Sequence, residues 1–320
     1  MSMEFGDLAA QIAGEVRITP LEIADLRGVG WADGQMTPDQ AEFLFVANET
    51  GGDAGPEWCD FFVEALTSYV VHTVLPRGYV DAEMAEELIA RIDRDGRVGT
   101  MAELELLVRV IEVASSVPEV LRTYALQQFE EAVAMGDGPT RHGELDRCGI
   151  NQTEVKLLRR LIFGTGSERP GGVGKAEAEL LFRIKDATLY EVNCLEWQDL
   201  FVKGVAQFLL GFAGEETPSP QRMRELESFM AREGAGLGSF LSRMARSEGE
   251  TGFASLLELG GGAEALDDWD DRAEMAALLT GSEQGWLHDM LEADEDLDDL
   301  ERALIAFIDA ETGETFVPRP

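Results

Sequence analysis

Apolar residues recur along most of the chain at spacings of three and four. Phe43, Leu44 and Ala47 are followed by Trp58, Phe61, Phe62, Ala65, Leu66 and Tyr69, and Leu104, Leu107, Val108 and Ile111 repeat the pattern. That period gathers them on one face of a helix, and runs of strand-like alternation are nearly absent. Polar positions mark where the helices begin. Thr19-Pro20-Leu21-Glu22, Thr37-Pro38-Asp39-Gln40, Thr100-Met101-Ala102-Glu103, Asn151-Gln152-Thr153-Glu154 and Asn193-Cys194-Leu195-Glu196 each fit a capping box. In such a box the first side chain accepts from a free amide and the Glu or Gln reaches back. The expected fold class is all-α, with about a dozen helices joined by short turns.

The helical pattern repeats within the chain. Ile18–Arg27 (ITPLEIADLR) aligns with Ile150–Arg159 (INQTEVKLLR), Ala41–Phe45 with Ala178–Phe182, and Glu57–Val63 with Glu196–Val202. The offset grows from 132 to 137 to 139 along the match, which puts the extra residues in loops, where insertions are tolerated. Met84–Gly99 has a fainter counterpart in Met223–Gly238. These matches predict duplicated helical-bundle units, a first repeat domain over 1–145 and a second over 146–262, followed by an acidic helical C-terminal segment over 263–320. That last segment holds 18 acidic and three basic residues. Its apolar stripes, including Trp286, Leu287, Leu291, Leu304 and Phe307, predict amphipathic helices that either pack back or are offered to a partner.

Charge narrows the partners. The 62 acidic and 26 basic residues leave a formal charge of −36, while a hydrophobic fraction of 45% is enough for a folded core. A chain this negative is not expected to bind nucleic acid directly or to bind an anionic membrane, because phosphate attraction needs a cationic patch. The expected partner is a protein, in particular a basic one.

The three cysteines, Cys59, Cys148 and Cys194, are widely spaced and form no CxxC pair, which argues against a disulfide framework or a zinc site. No basic leader opens the chain, and no apolar run reaches about 18 residues. The expectation is a cytoplasmic location.

Two sets of carboxylates are candidates for a divalent cation. In the first, Asp93-Arg94-Asp95-Gly96 is half of a calcium loop, but Arg91 stands at its first position and Ala102 where the closing Glu belongs, with Glu103 one residue beyond. Trp31–Met36 has the same Asp-Gly core, with Gln40 at the closing position. The plainer reading is a tight turn in which Gly takes positive φ. The second set is Glu42, Glu49, Glu57 and Asp60, matched in the other copy by Glu179, Asp186, Glu196 and Asp199. Glu57 and Asp60 share a helix face, and oxygen-only clusters suit Ca, Mg or Mn. Helix capping accounts for part of this pattern without an ion. The candidate metal residues are therefore Asp93, Asp95, Glu103, Glu42, Glu57 and Asp60.

Other motifs carry less. The glycine-rich stretch Gly164–Lys175 has Arg169 where a phosphate loop needs its first Gly, and Ala176 where it needs a hydroxyl. His72, His142 and His288 are scattered and have no nucleophile beside them, so no catalytic set is expected.

The Asp-Gly-x-apolar turns Asp33-Gly34-Gln35-Met36 and Asp95-Gly96-Arg97-Val98, with Ala-Glu-Phe-Leu at 41–44 and Ala-Glu-Leu-Leu at 178–181, resemble the tellurite-resistance TerB-type helical domains. The resemblance covers the two repeated segments. It implies an all-helical fold, acidic residues proposed to bind metal, and a link to stress responses. In the second copy the longer glycine-rich loop replaces the Asp-Gly turn, and an equivalent metal site there is in doubt. The leading expectation is a noncatalytic cytoplasmic protein-interaction or scaffold protein. The alternatives are a Ca-, Mg- or Mn-binding stress-related protein and an acidic mimic of nucleic acid that binds a basic protein.

Overall fold

Thr19, Thr37, Thr100 and Asn151 each begin a helix in the computed structural model, which describes residues 18–30, 36–50, 55–73, 77–94, 96–141, 149–169, 171–210, 281–291, 297–313 and 315–316. The described chain is all-α apart from one two-stranded ribbon. It divides into two units: 1–168 with 190–194, and 169–189 with 195–320. This grouping cuts the chain at a different place from the repeat-based boundaries at 145/146 and 262/263.

Unit 1 contains α1 (Pro20–Gly30), α2 (Pro38–Thr50), α3 (Pro56–Thr67), α4 (Ala82–Ile92), α5 (Met101–Val113), α6 (Glu119–Met135) and α7 (Gln152–Ile162). Pro20, Pro38 and Pro56 stand at the first helical position, where no amide hydrogen is needed. The core is built where α3 and α5 pack together. Trp58, Phe61, Phe62 and Leu66 on α3 and Leu104, Leu107, Val108 and Ile111 on α5 are all buried. Phe45 adds an edge-on ring against Phe62 at 5.6 Å. Beyond Thr67 the α3 backbone widens into a π-helical turn, Ser68–Thr73, a departure that recurs at functional sites.

The ribbon pairs Asp93–Arg94 with Arg97–Val98 around Gly96, whose φ is +88°. Asp93 Oδ1 accepts from Gly96 N at 2.8 Å, so this carboxylate holds the turn. Gln128 on α6 clamps the ribbon, accepting from Val98 N and donating to Gly96 O. The glycine-rich stretch also has a structural use. Gly166 N donates to Ile111 O, and the Thr165 hydroxyl donates to Ala114 O, so the loop covers carbonyls at the α5 C-terminus that the helix leaves open. A Cβ at Gly164 would stand 2.8 Å from Ile111 O, which is why side chains are excluded there.

Unit 2 contains α8 (Lys175–Ala187), α9 (Leu195–Leu209), α10 (Gly281–Leu291) and α11 (Asp299–Thr312). The helices α10 and α11 pack back onto α9 and bury Leu287, Leu291, Leu304 and Ile308. Trp286 stands edge-on to Phe182 and Phe208, joining α10 to α8 and α9. At Gly204 the bare backbone of α9 lets Leu181 approach closely; a Cβ would lie 2.8 Å from its Cδ1.

One polar arrangement occurs in each unit. In unit 1 the capping glutamate of α5, Glu103, is buried and accepts from Thr100 N at 2.9 Å and from Asn48 Nδ2 on α2 at 3.1 Å. Asn48 also donates to Thr100 Oγ1 and accepts from Trp58 Nε1 at 3.0 Å. In unit 2 the capping glutamate of α11, Glu301, is buried and accepts from Asp298 N at 2.9 Å and from Lys185 Nζ on α8 at 2.6 Å. Lys185 also donates to Asp298 Oδ2 at 2.8 Å. Position 185 is 137 residues after 48, the offset at which 178–182 matches 41–45. A lysine cannot accept a hydrogen bond, and Trp197 Nε1, at the position matching Trp58, is buried with no partner among the described residues.

Candidate functional site

Because α3 and α5 bury one face against each other, their adjacent faces are left to line a groove. Cys59, Val63 and Thr67 of α3 recur every four residues along one wall, and Met101, Glu105, Arg109 and Val113 of α5 along the other. Val98 and Gly99 from the ribbon close one side, with Asp137, Gly138 and Pro139 from the segment after α6. The volume is about 1550 Å³, beyond the range of about 300–1,000 Å³ usual for small-molecule sites.

Charged groups around the groove are largely engaged with one another. Arg160 on α7 pairs with Glu105 and, at 2.9 Å, with Glu112, and Arg109 reaches Glu112 at 2.7 Å. Burial alone would raise the Glu112 carboxyl, but hydrogen bonds from Arg160 and Arg109 outweigh it and hold the group below its ordinary value. Arg97 lies 3.6 Å from Asp137, and Glu64 is 2.6 Å from Arg27. Asp60, exposed on the α3 wall, has no ion pair among the described residues.

Three groove side chains bear on chemistry. Burial pushes the Cys59 thiol up to about 11, with Glu105 and Asp60 adding to the shift. At neutral pH it is therefore a protonated thiol, a weak nucleophile and a poor metal ligand. Thr67 is buried, and its hydroxyl has no hydrogen-bond partner among the described residues. His72, in the π-helical turn, is an exposed groove residue.

The residues singled out for metal binding go to separate tasks. Glu103 is buried with both carboxylate oxygens accepting hydrogen bonds. Glu42 pairs with Arg91 at 2.9 Å, Asp93 holds the ribbon turn, Glu57 is exposed at the start of α3, and Asp60 lines the groove. Asp95, the Asp33-Gly34 turn, His142, Cys148 and Met223–Gly238 lie outside the described residues. Among the described residues, no three His, Cys, Asp or Glu side chains converge as a metal-ion site. Sequence reasoning passed over Thr67, Glu105, Arg109 and Arg160. The usable signal was the spacing of Met101, Glu105, Arg109 and Val113, a second stripe beside the apolar one on α5.

No helix among the described residues is long and apolar enough to cross a membrane. The chain matches no family model, no curated protein and no solved structure.

Proposed function

We propose that this chain is a noncatalytic protein-interaction protein, built from two copies of a helical unit, and that the groove of unit 1 is its docking surface for a protein partner. The groove carries the reading. It is larger than the usual small-molecule pocket, it is lined by helix faces with apolar stripes, and burial holds its cysteine as a protonated thiol. The paired arrangements of Asn48 with Glu103 and Lys185 with Glu301 support the duplication. On this reading α10 and α11 are the second half of the second copy, in the roles that α4 and α5 have in the first.

The test is site-specific photocrosslinking in cells, with benzoylphenylalanine at Met101 inside the groove and, as a control, at the exposed Leu21 on α1. The expected result is a discrete protein adduct from position 101 that position 21 does not give. Identical adducts from both positions, or none from position 101, would remove the groove as the docking surface.

A further inference from the structure

We infer that the groove of unit 1 receives a basic amphipathic helix of about three turns, an inference that rests on the docking role proposed above. The length follows from the wall. Met101 to Val113 spans 12 residue steps of α5, which at a rise of 1.5 Å per residue is about 18 Å. The conformation follows from what the groove offers. One way for an extended peptide to dock is to add a strand to an open sheet edge, and the strands among the described residues are two residues long and paired as a hairpin. Two helix faces with side chains repeating every four residues instead present ridges and grooves for a third helix. Cys59, Val63, Val98, Met101, Val113 and Pro139 supply the apolar contact, and the flexible Met101 adapts to the shape of what it meets.

The sign of the partner follows from charge bookkeeping inside the groove. The arginines Arg97, Arg109 and Arg160 already face Asp137, Glu105 and Glu112, and Glu64 faces Arg27. Among the described residues that line the groove, the carboxylate left without an ion pair is Asp60. It stands on a chain whose formal charge is −36, so the local and the long-range fields have the same sign. A lysine or arginine on the incoming helix opposite Asp60 is attracted by both, and an acidic helix is repelled by both. Nucleic acid and anionic lipid are excluded by the same field.

The test uses two fluorescein-labelled 14-residue peptides with one leucine and phenylalanine face. One has lysine and arginine on its polar face and the other has glutamate. Each is titrated by anisotropy against the full chain and against Asp60→Lys, Met101→Arg and Val113→Arg, with equal thermal midpoints required of the variants used. The expected result is binding of the basic peptide alone, weakened at least tenfold by Asp60→Lys and by either groove-filling arginine. Basic-peptide binding that ignores all three substitutions would overturn the inference, since the peptide would then be held elsewhere on the acidic surface. Binding of the acidic peptide, blocked by Met101→Arg or Val113→Arg, would overturn the basic specificity and leave groove docking standing. Failure of both peptides would overturn the inference as well, while crosslinking from position 101 decides the docking role separately.

Discussion

Lys185 Nζ lies 2.6 Å from Glu301 Oε1, joining residues 116 positions apart, and both side chains are buried. Burial opposes the charge on Lys185, but hydrogen bonds to Asp186, Asp298 and Glu301 more than offset it and raise the ammonium above its ordinary value. Removing one member of a buried pair leaves the other uncompensated, at a cost of about 3–5 kcal/mol. Lys185→Met should lower the stability of the chain by that order, as read by urea titration following Trp fluorescence. Adding Glu301→Gln should recover part of the loss. A double variant as unstable as the sum of the two single ones would show that the pair is not coupled.

Trp58 and Trp197, which stand at matching positions in the sequence, should answer differently to the same substitution. Trp58 Nε1 donates to Asn48, whereas Trp197 Nε1 has no partner among the described residues. Phenylalanine removes the indole N–H from both. In unit 1 it also strands the buried Asn48 oxygen, so Trp58→Phe should cost more than Trp197→Phe by about 1 kcal/mol. Equal losses in thermal melts would mean that the Asn48 bond adds nothing.

Glu112 gives a pH signature. Its carboxyl is held below its ordinary value by Arg160 and Arg109 against the effect of burial, so the folded state binds its proton less readily than the unfolded state does. The stabilisation is therefore present above the ordinary carboxylate range and is lost as pH falls through the lowered value. Glu112→Gln should melt earlier than the parent at pH 7, by about 1 kcal/mol or less because the site is partly exposed. The two curves should converge in acid; a gap that stayed constant with pH would assign the loss to packing.

Gly164 and Gly166 lie against the α5 backbone, and a Cβ on either would come within 3 Å of Ile111 O. Backbone at a helix end cannot yield as a flexible side chain can. Alanine at either position should cost about 1–3 kcal/mol and loosen the Thr165 bonds to Glu112 O and Ala114 O. Faster amide exchange at Thr165 and Gly166 would report the loosening, and unchanged exchange with unchanged stability would contradict this account.

Cys59 should be slow to alkylate. With the thiol pushed up to about 11, little thiolate is present at pH 8, and peptide mass spectrometry should find Cys59 modified by iodoacetamide far more slowly in the folded than in the urea-unfolded chain. Comparable rates in the two states would mean that the groove does not bury it.

Much of the fold could be read from the amino-acid order because the deciding interactions are local. A capping box closes over three residues, so Thr19, Thr37, Thr100 and Asn151 announce helix starts without reference to anything distant, and the three-four period of Trp58, Phe61 and Phe62 marks the face that will be buried. The charge of −36 likewise follows from counting alone. Tertiary structure decided the rest. Glu103 read as a near-miss calcium ligand because its sequence neighbours include Asp93 and Asp95; its capping role was legible, but the bond from Asn48 comes from 55 residues away. Arg160 and Glu105 are also 55 residues apart, and only the packing of α7 on α5 brings them to one groove. The C-terminal helices showed apolar stripes in the sequence, yet that these pack back onto α9, with Asp298 meeting Lys185 from 113 residues earlier, is visible only in the fold. Sequence determines the backbone's local preferences within a turn or two. Which charges neutralise one another, and which faces remain open, is decided only when distant helices share a volume from which water is excluded.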